Sequence, residues 1–350
     1  MRVINKYIAV SVLPMICILM TGCNQNKSSQ NTESGMQQIR SHQYENAMTA
    51  FDAAEKKKEN SQLVARGRGI ASIGLTQYEQ AADYFKEALS YSDAHVDEMD
   101  YDLNYYLAEA YTKSEQLPEA ADTYTSIIQL NKKDGTAYFL RGRILLKMGE
   151  HDRAVKDFNQ SMKLNSSDYD LRITIAGELA DHGYEDEGKK YLTDFLTQNE
   201  KKLSDYDKGR IYYYLSDYDN AKVYLEKAQD DQNEDVILLL GKTYEKLGDY
   251  NYAASVYQNF ITKHSDAAKV INQMGLCKLV TEDYQGALDA FSAALKIQNN
   301  GIEQDLEYNQ IVAYEYLSDF KQASVMMNEY LQKYPADEEA LREAEFLKTR

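Results

Sequence analysis

A 350-residue chain with a formal net charge of −17, three prolines, 30 tyrosines and no tryptophan lacks the basic footprint that nucleic-acid binding requires. So few prolines over such a length suit a long helical array with one continuous core, rather than a string of separate globular domains. The acidity reads first as solubility, and second as a means of recruiting basic partners.

In chain order, residues 1–22 read as a leader outside the fold. Arg2 and Lys6 precede an apolar run from Tyr7 to Met20 that contains Pro14. The run is too short for an ordinary spanning helix and has the layout of a signal peptide. It ends Leu19-Met20-Thr21-Gly22-Cys23, which resembles a bacterial lipobox, with Met20 where that family prefers Leu. The resemblance implies a lipoprotein signal peptide over 1–22 and lipid on the sulfur and amine of Cys23. An ordinary signal peptide or an uncleaved anchor are the alternatives. Several acyl chains, at roughly 0.8 kcal/mol per buried CH₂, make a lasting anchor. Residues 23–35 are polar and rich in Ser, Asn and Gln, which predicts a flexible tether. The first helix is expected to start within it or just after it.

From residue 36 to 335 one pattern returns. Its clearest copy is Gly241 to Tyr257, which reads as a helix end, a turn at Leu247-Gly248-Asp249-Tyr250 and a helix start. Gly248 can take the left-handed conformation that ends a helix, and Asp249 can accept from the free N–H groups of the next one. Small Gly241 and Ala253 are expected to face each other across the helix pair. With Ala253 as anchor, the counterparts are Ala47, Ala81, Ala120, Ala154, Glu187, Ala221, Ala287 and Ala323, at steps of 34, 39, 34, 33, 34, 32, 34 and 36. Twelve residues before the anchor stands Gly35, Gly69, Gly142, Gly209, Gly241 or Gly275. Four after it comes Phe51, Phe85, Tyr124, Phe158, Tyr191, Tyr257 or Phe291. This period and spacing resemble the tetratricopeptide repeat. The resemblance implies an all-α fold, a right-handed superhelical solenoid of about nine helix-turn-helix repeats, and a general protein-binding scaffold.

Departures from the pattern carry their own expectations. Glu187 at an anchor predicts that the fifth repeat is the least well packed, and Ile311 fills the small slot of the last. The long step of 39 falls near Ser90–Asp102. There Asp100-x-Asp102-x-Asn104 begins like a calcium loop, but Tyr105 stands where the required Gly belongs, so a solvated acidic loop is expected. Residues 336–350 predict a capping helix with a polar outer face. After loss of Cys17 with the leader and lipidation of Cys23, only Cys277 remains, a buried thiol in an apolar first helix.

Five scattered histidines, and the lack of any HExxH, GxSxG, phosphate-loop or CxxC motif, point to no catalytic residue, no metal site, no cofactor and no enzymatic activity. What remains is a groove. In the repeat family the first helix of each unit lines the concave face, at positions fifteen and eleven before the anchor. Here these positions give Tyr105, Phe139, Tyr206 and Tyr308, with Arg66 in the second unit, and then Arg143, Arg210 and Lys242. Tyr and Arg are enriched at binding hot spots, although core padding explains some of the tyrosines. The resulting expectation is a membrane-anchored extracytoplasmic lipoprotein scaffold of a bacterial cell envelope, binding protein or peptide partners in that groove. The alternative is a cell-wall or glycan-binding lipoprotein, against which the missing Trp counts.

Overall fold

The computed structural model describes residues 29–92, 97–229 and 233–350. Among them are nineteen α-helices and no strand. The chain divides into two compact units, Met1–Asp157 and Phe158–Arg350. The leader and Cys23 lie outside the described residues.

In the first unit α1 (Gln30–Arg40) pairs with α2 (Tyr44–Lys56), α3 (Ser61–Gly74) with α4 (Tyr78–Ser90), and α5 (Glu98–Lys113) with α6 (Leu117–Leu130). Next come α7 (Gly135–Lys147) and α8 (His151–Leu164), the latter spanning the boundary between the units. The second unit continues with the pairs α9 (Tyr169–Asp181) and α10 (Glu185–Asn199), α11 (Asp205–Tyr214) and α12 (Tyr218–Lys227), and α13 (Glu234–Lys246) and α14 (Tyr250–Ile261). It ends with α15 (Ala268–Val280) and α16 (Tyr284–Leu295), α17 (Glu303–Tyr316) and α18 (Phe320–Lys333), and the single helix α19 (Glu338–Leu347). Nine helix-turn-helix repeats and one terminal helix account for the set.

One turn geometry makes all nine pairs. Its key residue takes a positive φ, between 56° and 87°, at His42, Thr76, Glu115, Gly149, Gly183, Ser216, Gly248, Glu282 and Ser318. The following N–H reaches back to close the first helix, as when Asp249 N–H donates to the Tyr244 carbonyl at 2.9 Å. This satisfies carbonyls that a helix end otherwise leaves open. The same next residue starts the second helix. Asp217, Asp249, Asp283 and Asp319 each accept, through the side chain, from the N–H three residues on.

The positive-φ residue lies five before the anchor in every repeat, and this corrects the fifth. Gly183 places the anchor at Gly188, not Glu187, so the steps become 34, 39, 34, 34, 33, 32, 34 and 36. Tyr184 and Tyr191 mimic the aromatic markers one residue out of register. The physical reason for the true register is burial. The alanine anchors are all 0% exposed, a position that an unpaired carboxylate cannot take without a large desolvation cost. Gly188 is buried there instead, and a Cβ on it would stand 2.6 Å from the Ala176 carbonyl oxygen. The fifth repeat therefore has a close backbone approach, and Leu192 takes the large slot four residues on, at 1% exposed.

A second correction concerns what the small slot faces. Ala253 is fully buried as expected, but the group lying on Gly241 is the Tyr257 ring, whose Cζ would be 2.1 Å from an added Cβ. Gly69 meets Phe85 Cε1 at 2.4 Å, Gly275 meets Phe291 Cε1 at 2.4 Å, and Gly209 meets Leu225 Cγ at 2.6 Å in the same way. Phe51 lies between two glycines, Gly35 of its own repeat and Gly67 of the next. Where the slot is larger the filler changes. In the last repeat Ile311 shares its buried cluster with Met327, a flexible side chain that adapts to an irregular gap. Cys277 is 2% exposed, and its thiol donates to Glu245 Oε1, which also accepts from the Tyr257 hydroxyl at 2.6 Å.

Both ends of the array carry their own caps. Helix α1 starts at Gln30, inside the stretch expected to be tether. Its first amides are held by Glu59, a buried carboxylate at the end of the α2–α3 connection. Glu59 Oε2 accepts from Thr32 N–H at 2.8 Å and from the Thr32 hydroxyl at 2.6 Å, while Oε1 accepts from Asn31 N–H and Nδ2. No periodicity near residue 30 announces this, because the capping group comes from 27 residues downstream. At the other end Asp337 caps α19 and accepts from the Tyr330 hydroxyl at 2.7 Å. The outer face of α19 is less polar than expected, with Leu341 46% and Phe346 39% exposed. The Arg350 guanidinium sits 4.8 Å over the Phe346 ring.

Glu59 yields a pH prediction. Burial opposes its ionisation, but the hydrogen bonds from Thr32 and Asn31 outweigh that and lower its pKa from 4.5 to about 2. The folded value lies below the unfolded one, so the stabilisation is full above about 4.5 and fades as pH falls towards 2. Hydrogen exchange should show α1 losing protection first in that window. Glu59→Gln should reproduce the loss at neutral pH, with α17 and α18 unaffected.

Candidate partner-binding surface

The lining positions fall in two sets, one in each unit. In the first unit, Tyr105 on α5 is half-buried. Its hydroxyl donates to Asp134 Oδ2 at 2.7 Å, so it reaches the N-cap of α7, the first helix of the next repeat. Its ring meets Tyr101 and Tyr124 edge-on at 5.5 and 6.2 Å. Burial raises its hydroxyl pKa well above the phenol range, with Tyr124 adding to the shift. Phe139 is only 5% exposed and belongs to the core. This corrects its place among the groove residues: a phenyl ring on that register is more stable packed inward than presented to water. Arg143 is half-buried, with its guanidinium 5.7 Å over the Phe139 ring. Arg66 on α3 donates through Nε and Nη2 to Asp102 Oδ2 at 3.0 and 2.6 Å.

In the second unit Tyr206 and Arg210 stand one turn apart on α11, the guanidinium 5.3 Å from the ring centroid. Arg210 Nη2 donates to Asp170 Oδ1 on α9, and a second carboxylate, Asp207, is 3.9 Å away. Burial raises the Tyr206 hydroxyl, with Arg210 working in the opposite direction. Lys242 on α13 is half-buried. Tyr308 on α17 is half-buried against Tyr330, ring centroids 5.7 Å apart. Its hydroxyl is raised by burial and then by Glu339 and Glu343 of α19.

Thus Tyr105, Tyr206 and Tyr308 are half-buried phenols with polar neighbours, Phe139 is core, and the arginines are not free cations. Sequence reasoning missed their partners. Asp102 lies 36 residues after Arg66, and Asp170 lies 40 before Arg210. Asn309 Nδ2 donates to Asn272 Oδ1 across 37 residues at 2.9 Å. The signal was present as polar pairs about one repeat apart, which join the first helices of neighbouring repeats. The acidic stretch of the long step is structural as well. Asp97 and Asp100 form a capping box on α5, and Asp102 is the Arg66 partner.

Models of the tetratricopeptide repeat match residues 66–134, 135–168, 206–230 and 235–267, and the helix pairs coincide with them. Over these residues the chain carries tetratricopeptide repeats. BBSome complex member BBS4 of Mus musculus is 27% identical over 117 residues, covering 33% of this chain and 21% of that protein. Its Bos taurus counterpart is 20% identical over 236 residues, covering 67% and 38%. The chain therefore spans well under half the length of these curated relatives. Among solved structures, a tetratricopeptide repeat protein from Parabacteroides merdae is 14% identical, with 82% of this chain and all of that one covered and a TM-score of 0.45. YrrB, described as a TPR protein with an unusual peptide-binding site, is 22% identical, covering 65% and 100%, with a TM-score of 0.36.

The pairing of the tetratricopeptide lining residues sets an order of mutational effects. The side chains of Arg66 and Asp102 are 18% and 17% exposed, whereas Asp170 opposite Arg210 is 74% exposed. Removing Arg66 strands a mostly buried carboxylate, and Arg66→Ala should cost on the order of 2–3 kcal/mol. Arg210→Ala leaves Asp170 to water and should cost under about 1 kcal/mol. Urea unfolding of the two variants measures both.

Proposed function

We propose that this protein is a membrane-anchored extracytoplasmic lipoprotein of a bacterial envelope. In this reading its repeats hold partner proteins or peptides on the faces of their first helices. The observation that carries the partner-binding part is the recurrence of half-buried tyrosines on first helices, Tyr105, Tyr206 and Tyr308, each beside a polar or charged neighbour. Such phenols offer flat contact area at low rotamer cost together with a hydrogen-bonding end. The anchoring part rests on the sequence alone, on the apolar run and the Leu19–Cys23 motif. The scaffold role is in keeping with relatives named as members of a complex.

The test has two arms. Membrane fractionation and N-terminal mass spectrometry should find a lipid-modified Cys23, and Cys23→Ala should leave the membrane fraction. An unmodified N-terminus elsewhere overturns the anchor. Affinity capture from envelope extract should recover proteins, with recovery reduced by combined Tyr105→Ala and Tyr206→Ala. Capture of wall fragments instead would favour a glycan-binding lipoprotein.

A further inference from the structure

The basic groups expected to choose a partner are tied to carboxylates at Arg66 and Arg210, but the sixth repeat carries two that are not. Tyr212 on α11 and Tyr224 on α12 stack face to face, with ring centroids 5.4 Å apart and planes 8° from parallel. Lys208 Nζ lies 5.4 Å, and Lys227 Nζ 5.0 Å, from the Tyr224 ring centroid. Two like charges near one ring repel each other. The ring quadrupole offsets part of that cost, and no described carboxylate pairs with either lysine. Lys201 and Lys202, both exposed, lie in the loop before α11. Glu200 in that loop is near enough to act on the Tyr212 hydroxyl.

The packing explains why this edge is available. From α9 to α19, successive helices pack closely except at α10 and α11, which touch least. Leu203, 6% exposed, fills the gap between them and belongs to the cluster that Tyr212 packs against. At ten residues each, α11 and α12 are also among the shortest helices. The α11–α12 edge is thereby left partly uncovered: Tyr212, Tyr224 and Lys208 are half-buried, and Val223 and Lys227 are exposed.

We infer that Lys208, Lys227 and the stacked Tyr212–Tyr224 pair form a docking platform for an acidic, extended protein segment. Carboxylates of the segment would sit between the two ammonium groups, and its apolar atoms would lie against the phenols and Val223. Charge complementarity favours this occupant: on a chain of net charge −17, two ammonium groups converge here on one stacked ring pair, and no described carboxylate forms a salt bridge with either. This deepens the partner-binding reading, on which it rests, by naming the partner's charge and a place for it.

The experiment uses the full chain and a fluorescently labelled Glu-rich peptide, read by anisotropy, with a Lys-rich peptide as control. Wild type should bind the Glu-rich peptide alone, more weakly as salt rises. Lys208→Glu with Lys227→Glu should weaken binding roughly tenfold or more while thermal melting stays close to wild type. If the double variant melts early, Lys208→Gln with Lys227→Gln gives the same readout with less repulsion. Equal binding by either variant, or no binding by wild type, overturns the platform. Binding to phosphatidylglycerol vesicles but not to the peptide overturns it in favour of a lipid surface. Capture of envelope proteins that survives the lysine changes would sink this inference and leave partner binding by the repeats intact.

Discussion

The structure depends on a large side chain meeting a hole. In repeat after repeat a ring or branched side chain from the second helix lies on a glycine of the first, closer than any Cβ would allow. Dense packing of this kind tolerates little change in volume. It sets the separation of the two helices, while the left-handed residue between them sets their connection. With both fixed, the fully buried alanine at the anchor has no alternative register. The repeats vary the filler: phenylalanine or tyrosine on glycine, leucine on Gly209, methionine beside Ile311. A chain of these locks needs only neighbour contacts, so each repeat can diverge on its outer positions.

That freedom is visible in the polar residues. Pairs such as Arg66 with Asp102, Arg210 with Asp170 and Asn309 with Asn272 join first helices of adjacent repeats. They use the same lining positions that a partner would use. Partner recognition therefore falls to groups that the ladder leaves over, half-buried phenols and a few lysines. The sixth repeat, whose helices are short and whose contact with α10 is slight, has the greatest share of these.

The repeat architecture was legible in the sequence because its marks are local. A glycine, an alanine and an aromatic at fixed offsets lie within a single repeat, and eight of nine anchors could be read from them. The fifth was misread because Tyr184 and Tyr191 imitate the aromatic spacing one residue out of register, and only the positive φ of Gly183 reveals it. The start of α1 could be read only to within the polar stretch before residue 36, because its cap, Glu59, comes from the next connection. The site was less legible for the same reason. Phe139 shares its register with half-buried tyrosines yet is itself core, and the carboxylates paired with Arg66 and Arg210 lie about one repeat away, where no local pattern shows them.

The most direct test of the account is a double-mutant cycle on one lock, Gly275→Ala and Phe291→Met, with stability read by urea unfolding. Each change alone should destabilise, the first because an added Cβ would meet Phe291 Cε1 at 2.4 Å, the second by loosening the ring's packing. Together they should recover part of the loss, as Met327 beside Ile311 does naturally, giving a coupling on the order of 1 kcal/mol or more. Strict additivity of the two losses would mean that ring and glycine act independently, and would contradict the account.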